Sequence, residues 1–578
     1  QDSRISIDGV EVPILYHFFG LQSVLPTEFI SNIEFAPGGF GAESGRATGG
    51  VINVVTRDEP IAKASGFAEL SFINLAALVQ TPVSTAHHLQ LTAAIRRSVI
   101  DVILPAVLSG SSVHFTTAPT YYDGQLRLDW RPRDADRLTA FFLTSFDELR
   151  LINNSIDPND PVSSSGATFD QLTSFSRLIG TWTHGAGGLT NRLVGSIGVS
   201  DFKLAIGADR YLKLGGEVAE LRDDAALKVR PELTLRAGGD ARWASNDLDI
   251  KFPGQPAEGE PPPTSLSTGT LIDYKQTIDA NLASLYLAAD VRPTRATTIT
   301  TGLRGDYYAH IKQGTLSPRV QLSQQLTPDV TLKLALGRYT QPLQQAASVP
   351  TTLLPELATQ YVLGVEGKVA SGVTLASSVF YTDRAQLVVR DPLLIATDPL
   401  NAYVGRGRGR SFGGEVLLRA RLTNVFGWLA YTLSRSDRHD AELAPQRLFD
   451  FDQTHILVAV ASYKWGVGGK WELGGRFQLA TGTPDTPVIG ATYLADANIY
   501  VPRYGPVNST RIETAHQLDV RLDRHFTFEG WKLSAYLDVT NVYANAAVLG
   551  YSYNFDYSQR QPIKNLPILP ALGVRGSF

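Results

Sequence analysis

Gln517-Leu-Asp-Val-Arg-Leu-Asp-Arg-His-Phe526 is the stretch whose reading decides the fold. Leu518, Val520 and Leu522 fall on one face, and Gln517, Asp519, Arg521, Asp523 and His525 on the other. Arg524 interrupts the apolar row and Phe526 resumes it. A period of two marks a strand whose faces meet different surroundings, because successive side chains point to opposite sides. Trp531, Leu533, Ala535, Leu537 and Val539 repeat the pattern, as do Leu126, Leu128 and Trp130. Such segments run from about Ser65 to Phe578, and amphipathic helical periodicity is hard to find.

The punctuation between strands is more telling. Tight turns are expected near Thr81-Pro82, Pro132-Arg133-Asp134, Gly185 to Gly188, Arg230-Pro231-Glu232, Pro293-Thr294-Arg295 and Thr327-Pro328-Asp329. Others are expected near Ala370-Ser371-Gly372, Asn424, Gly466-Val467-Gly468, Glu529-Gly530 and Asn565-Leu566-Pro567. Polar connections fall between them, long at Asn153–Gly166, Gly254–Thr270, Gln344–Pro355, Asp391–Gly405, Ser436–Asp450 and Thr483–Thr510, and brief near Gly207, Gln313 and Asn545. Alternating short and long connections are what a membrane β-barrel produces, with periplasmic turns short and extracellular loops long. Eleven tight turns give an all-β, 22-stranded transmembrane antiparallel barrel. About 23 residues per strand and connection exceed the roughly 9–11 that span a bilayer, so strands are expected to project beyond it. A propeller would show a repeat of about 40–50 residues, and none is found.

Composition agrees. Of 578 residues 19% are charged and 9% aromatic, and the net charge is −4, which leaves no basic footprint for nucleic acid. Cysteine is absent, which excludes disulfides and thiolate sites, and methionine is absent too. No apolar run is long enough for a transmembrane helix. H-E-x-x-H does not occur and no catalytic constellation stands out, so no enzyme, cofactor or metal site is expected. His87-His88 read as neighbours in a strand, pointing apart and unable to chelate together. Arg304-Gly305-Asp306 reads as lumen structure.

The first 60 residues differ. Ile5 to Pro13 reads as strand, turn at Asp8-Gly9, strand. Gly38, Gly39, Gly41, Gly45, Gly49 and Gly50 crowd one loop with Glu43 and Arg46, running into the strand Val51–Thr56. Glycine there permits close backbone approach. The spacing fits neither G-x-G-x-x-G nor a P-loop.

Together, "IDGVEVP" from Ile7 and "IEFAPGGFGAESGRATGGVINVVTR" from Ile33 resemble the second half of the plug of TonB-dependent outer-membrane receptors. The barrel adds "AIRRSVID" from Ala94, "LSPR" from Leu316, "LLPELATQYVLGVE" from Leu353, "FGGEVLLR" from Phe412, "FDQTHIL" from Phe451 and "YLDVTNVY" from Tyr536. "PILYHFFGLQSVLP" from Pro13 and "LPILPALGVRGSF" from Leu566 look closest to the myxobacterial type. An alternating strand ending on Phe578 resembles the assembly signal of outer-membrane barrels. The resemblance implies a plug inside the lumen, residues 1–60 being its C-terminal part and 61–578 the barrel. It implies the bacterial outer membrane, contact with lipid and lipopolysaccharide, and a TonB-type energy transducer. The family's plug starts with a further segment and a transducer box not seen here, so the chain is expected to be truncated, cleaved or incomplete.

The expected function is a gated importer of a scarce small ligand; the alternative is a structural barrel held among other envelope proteins. Ligand-facing candidates are Tyr403, Phe449, Phe451, Tyr493, Tyr500 and Tyr504, with a membrane-interface girdle as the competing reading. Arg406, Arg408 and Arg410 share the parity of Phe412, Val416 and Leu418, the lipid face. Arginine at the bilayer midplane costs about 2–4 kcal/mol. They are therefore expected above the hydrocarbon, or turned inward by a bulge, as an anion site for lipopolysaccharide phosphate or an acidic ligand, or as a solvated rim. Finally, Arg46 is expected within reach of a lumen carboxylate, opposite charges anchoring the plug without an apolar core.

Overall fold

The computed structural model describes residues 3–17, 20, 22–102, 113–153, 168–207, 210–253, 271–342, 353–391, 403–441, 445–496, 499–565 and 568–578. Most of the expected long connections at 153–166, 254–270, 344–355 and 391–405 lie outside these residues. The chain from Ser65 to Ser577 closes into one antiparallel barrel. Two of its strands are interrupted: Leu271–Asp279 with Leu282–Thr294, and Arg447–Leu448 with His455–Trp465. Counted through these breaks, the barrel has 22 strands. Closure pairs Ser65–Ser71 with Leu569–Ser577.

The period-two signal arises because each strand separates lipid from lumen. Leu126, Leu128 and Trp130 are exposed on the outside, while Gln125, Arg127 and Asp129 are buried inside. Val113–Arg133, Arg210–Arg230 and Leu233–Pro253 each run 21 residues, about twice what a bilayer requires. Arg524 keeps its outward parity by lying over the Trp471 ring at 4.6 Å, near the short-turn end, where a long cationic side chain can reach water.

Three expectations about turns are corrected. Thr81-Pro82 lies inside the strand Asn74–Ser84, and the turn follows at Thr85–His88. Pro82 is tolerated because a register shift between Pro82 and Ser84 relieves the ladder there. His87 and His88 therefore sit in that turn, not in a strand. Asn565 belongs to the base of a separate hairpin, Val548–Tyr553 with Arg560–Lys564, inside a long connection; Leu566 and Pro567 lie outside the described residues. The connection near Asn545 is accordingly long. A turn at Phe72-Ile73 went unread, and the two miscounts cancel in the total of 22.

Residues Arg4 to Thr56 form a small sheet of their own. Its order is Val10–Glu11, Arg4–Ile7, Val51–Thr56, Ile30–Ala36, with Arg4–Ile7 and Val51–Thr56 parallel. Asp8 and Gly9, at φ 51° and 86°, make the two-residue turn joining Ile7 to Val10. Asp8 is fixed by Thr56, whose backbone N–H donates to its carboxylate at 2.9 Å. The sheet and its loops contact inward side chains of the strands from Leu89–Ser98 through Val373–Arg390, and of Leu569–Ser577, and so sit in the lumen.

Candidate functional site

The seat of this sheet differs between two arcs of the wall. On one arc, Val24, Leu25, Phe29 and Val54 pack with Phe141, Leu143, Phe175, Ile179 and Val194 of the wall. Phe29 and Phe141 lie 5.8 Å apart. The expectation of anchoring without an apolar core is thereby corrected: burying such side chains contributes about 1.5–3 kcal/mol each.

The other arc is polar. Arg46 is buried, at φ 62°, with Nη1 3.6 Å from Asp240, the expected lumen carboxylate. Asp240 also accepts from Arg304 at 2.8 Å, and Arg304 pairs with Asp306 at 2.8 Å. Glu43 lies 3.4 Å from Arg236, and its carbonyl accepts from Arg222. Arg242 bridges Glu11 of the small sheet and Glu220 of the wall. Burial would lower the pKa of Arg46, but Asp240 and Glu220 outweigh it and hold the guanidinium firmly charged. Burial and the neighbouring Arg46 push Arg4 down to about 10.

The glycine loop is threaded among amides. Gln360 accepts from Gly39 N at 2.8 Å and donates to the carbonyls of Thr48 and Gly49. Gln341 accepts from the backbone N and the hydroxyl of Thr48. Arg319 donates to the carbonyls of Gly41 and Ser44 and lies over the rings of Phe40 and Tyr339. Closeness explains the glycines: a Cβ at Gly45 would stand 2.2 Å from Arg304, and one at Gly39 would stand 2.6 Å from Ala335. One at Gly50 would stand 2.7 Å from the carbonyl of Ala36, while Gly38 is less crowded, at 3.1 Å from Gln360.

His17 was not singled out by sequence. It is fully buried, and its ring nitrogens lie 2.5 Å from Asp147 and 2.9 Å from Asp123. Its ring stacks on Tyr121 at 4.2 Å, and Arg96 also pairs with Asp123 at 2.9 Å. Arg96 further donates to the carbonyl of Ser23. Burial alone would lower the His17 pKa; the two carboxylates outweigh it and hold the imidazole above its ordinary value.

At the long-loop end, two hairpins project: Val488–Leu494 with Ile499–Tyr504, and Val548–Tyr553 with Arg560–Lys564. Tyr493 and Tyr500 meet at 4.9 Å, and Tyr500 meets Phe555 of the second hairpin at 5.6 Å. Tyr504 faces Val488 at the base of the first hairpin. Arg560 lies over Tyr551 at 4.3 Å. Phe449 and Phe451 make their own pair at 5.5 Å. Tyr403 is elsewhere, starting the strand Tyr403–Arg421 that carries Arg406, Arg408 and Arg410. Those arginines are exposed while Gly407 and Gly409 between them are buried, so they point outward and line no lumen site. One bulge lies in the neighbouring strand, between Arg384 and Leu387, and the other in this strand, between Val404 and Gly407, where Arg406 still stays exposed.

A family model described as TonB dependent receptor-like, beta-barrel, matches residues 107–542. The chain belongs to the TonB-dependent receptor family and is a protein of the bacterial outer membrane. Among solved structures it is similar to the siderophore receptor PirA from Acinetobacter baumannii, at 14% identity and a TM-score of 0.72, covering 100% of this chain and 90% of that one. It is similar to the ferripyoverdine receptor of the Pseudomonas aeruginosa outer membrane, at 15% identity and 0.71, covering 100% and 80%. The FrpB iron transporter from Neisseria meningitidis matches at 13% and 0.71, covering 100% and 92%. At such identities the likeness concerns the fold. No curated protein matches the chain in sequence.

Proposed function

We propose that the protein is a gated outer-membrane importer. Residues 1–60 act as part of a plug and 61–578 as the barrel. A scarce small ligand binds between the two aromatic loop hairpins, and a TonB-type periplasmic transducer supplies the work of displacing the plug. The observation that carries this reading is the small sheet seated in the lumen, which occupies part of a barrel too wide for side chains to fill. An outer membrane holds no ATP, so the work has to come from elsewhere. Three of the similar structures are by name a siderophore receptor, a ferripyoverdine receptor and an iron transporter, which favours a metal chelate as the ligand class. Transport also agrees with a family of receptors and transporters rather than enzymes. Outer-membrane lipid and lipopolysaccharide surround the barrel.

The test is uptake of labelled ferric chelates in strains with and without the transducer. Loss of uptake on deletion is expected. Equal uptake in both strains would sink the gated mechanism and favour a static barrel among other envelope proteins.

A further inference from the structure

The outward face of four adjacent strands can be read row by row. These are Glu356–Ala370, Val373–Arg390, Tyr403–Arg421 and Val425–His439. In register, Val365, Ser377, Val416 and Tyr431 form one row, and Leu363, Val379, Gly414 and Leu433 the next. The third row is Tyr361, Tyr381, Phe412 and Arg435, and the fourth Thr359, Asp383, Arg410 and Asp437. Arg408 pairs in register with His439 above that, and Arg406 stands higher still. Apolar rows thus give way to an aromatic row and then to charge, the order expected where hydrocarbon ends. With a rise of about 3.3 Å per residue and a tilt near 40°, Arg410, Arg408 and Arg406 stand roughly 5, 10 and 15 Å above the aromatic row.

We propose that Arg406, Arg408, Arg410 and Arg435 bind the phosphate groups of lipopolysaccharide in the outer leaflet. The proposal deepens the lipid contact named under the proposed function and rests on that orientation of the barrel. Arg410 and Arg435 both pair with Asp437 through Nε, at 3.4 and 2.9 Å, which leaves their terminal Nη groups available. Arg406 pairs with Asp391 at 3.1 Å, and Arg408 has no ion-pair partner among the described residues. Against these arginines stand Asp383, Asp391 and Asp437, so the strip keeps an excess of positive charge. Guanidinium groups match phosphate oxygens in pairs of parallel hydrogen bonds. The height argues for this lipid over a phospholipid. A phospholipid headgroup layer is only about 5–8 Å deep on each side, whereas lipopolysaccharide carries phosphate both on its lipid and on its inner sugars.

The experiment compares the wild-type protein with the quadruple variant R406Q/R408Q/R410Q/R435Q, both purified from outer membranes. Bound lipopolysaccharide per barrel is read by native mass spectrometry, and rebinding is measured with intact and with dephosphorylated lipopolysaccharide. Retention should fall by roughly fivefold per arginine removed, and the dephosphorylated lipid should bind wild type no better than it binds the variant. A heat-modifiable gel shift checks that the variant barrel is folded, and the single variant R408Q gives a graded loss if it is not. Equal retention by both proteins would overturn the proposal. So would binding of the dephosphorylated lipid to wild type as tightly as the intact lipid, which would assign the site to acyl chains. Displacement by inorganic phosphate alone would also overturn it, by showing a small-anion site. Transducer-dependent uptake by the unaltered protein tests the transport reading by itself, so the two failures are distinguishable.

Discussion

Replacing His17 by Ala should loosen the N-terminal segment from the barrel wall, and the structure sets how much. Asp123 would keep Arg96, but Asp147 has no other ion-pair partner among the described residues. It would be left buried and charged beside an empty space. Breaking a buried pair by removing one partner costs about 3–5 kcal/mol. If a protease cuts only the transiently released segment, its rate follows the released population. Cleavage near residues 16–25 should then rise about a hundred- to several-thousand-fold. The double variant H17A/D147N removes the stranded charge and should recover much of the loss, which a simple packing defect would not. The pH dependence has a definite sign. Because the folded pKa of His17 is raised, its contribution is fully present below the ordinary histidine value of about 6.5. It is lost as pH rises through the folded value. The assay is limited proteolysis of the detergent-solubilised protein between pH 6 and 9. Protection that is indifferent to pH, or that grows as pH rises, would refute the reasoning.

Gly45→Ala should displace Arg304 from Asp240, since the new Cβ would stand 2.2 Å from the guanidinium, and the segment should become more protease-sensitive. Asp240→Asn should destabilise the seat more than Arg46→Gln: the first strands Arg46 and leaves Arg304 with Asp306 alone, whereas the second leaves Arg304 to neutralise Asp240; chemical denaturation compares them. Tyr500→Ala should weaken ligand binding by about tenfold or more, as loss of a well-packed aromatic at an interface does, because it separates the two hairpins; titration with ferric chelates reads the effect.

What sequence made legible was whatever the environment repeats every second residue. The lipid–lumen alternation in Ala515–Thr527 and Val113–Arg133 is dictated by two different solvents, so it survives reading one chain. Turns were legible where glycine, proline or, as at Asn424, asparagine marks them and not otherwise. Phe72-Ile73 carries neither; there Ser71 Oγ accepts from the backbone N–H groups of Ile73 and Asn74, a side-chain device with a weak signature. Pro82 misled in the other direction, since proline at a bulge looks like proline in a turn. Arg46 could be foreseen as a partner for some carboxylate, but not for Asp240 by name. His17 could not be foreseen at all, because Asp123 and Asp147 lie 106 and 130 positions away and meet it only once the barrel is curved. The aromatic loop cluster was half read. Tyr493 and Tyr500 stood out by type, while Phe555 comes from another connection.

The closing seam bears on how such a molecule is built. Phe67 to Ser71 meet Gly573 to Ser577 in five register pairs, and Gly66 exchanges backbone hydrogen bonds with Phe578. Every other neighbouring pair in the barrel is joined by a local connection and can form as a hairpin. This one joins the two ends of the sheet and has to form after the rest has curved round. Until then both strands present rows of unpaired N–H and C=O groups, which in hydrocarbon cost several kcal/mol each and in water invite pairing with another chain. The outward side of the seam, with Leu70 and Val574 exposed, is apolar as well. An assembly machine that shields those two edges and delivers them to each other inside the membrane would be acting on the most vulnerable line of the barrel.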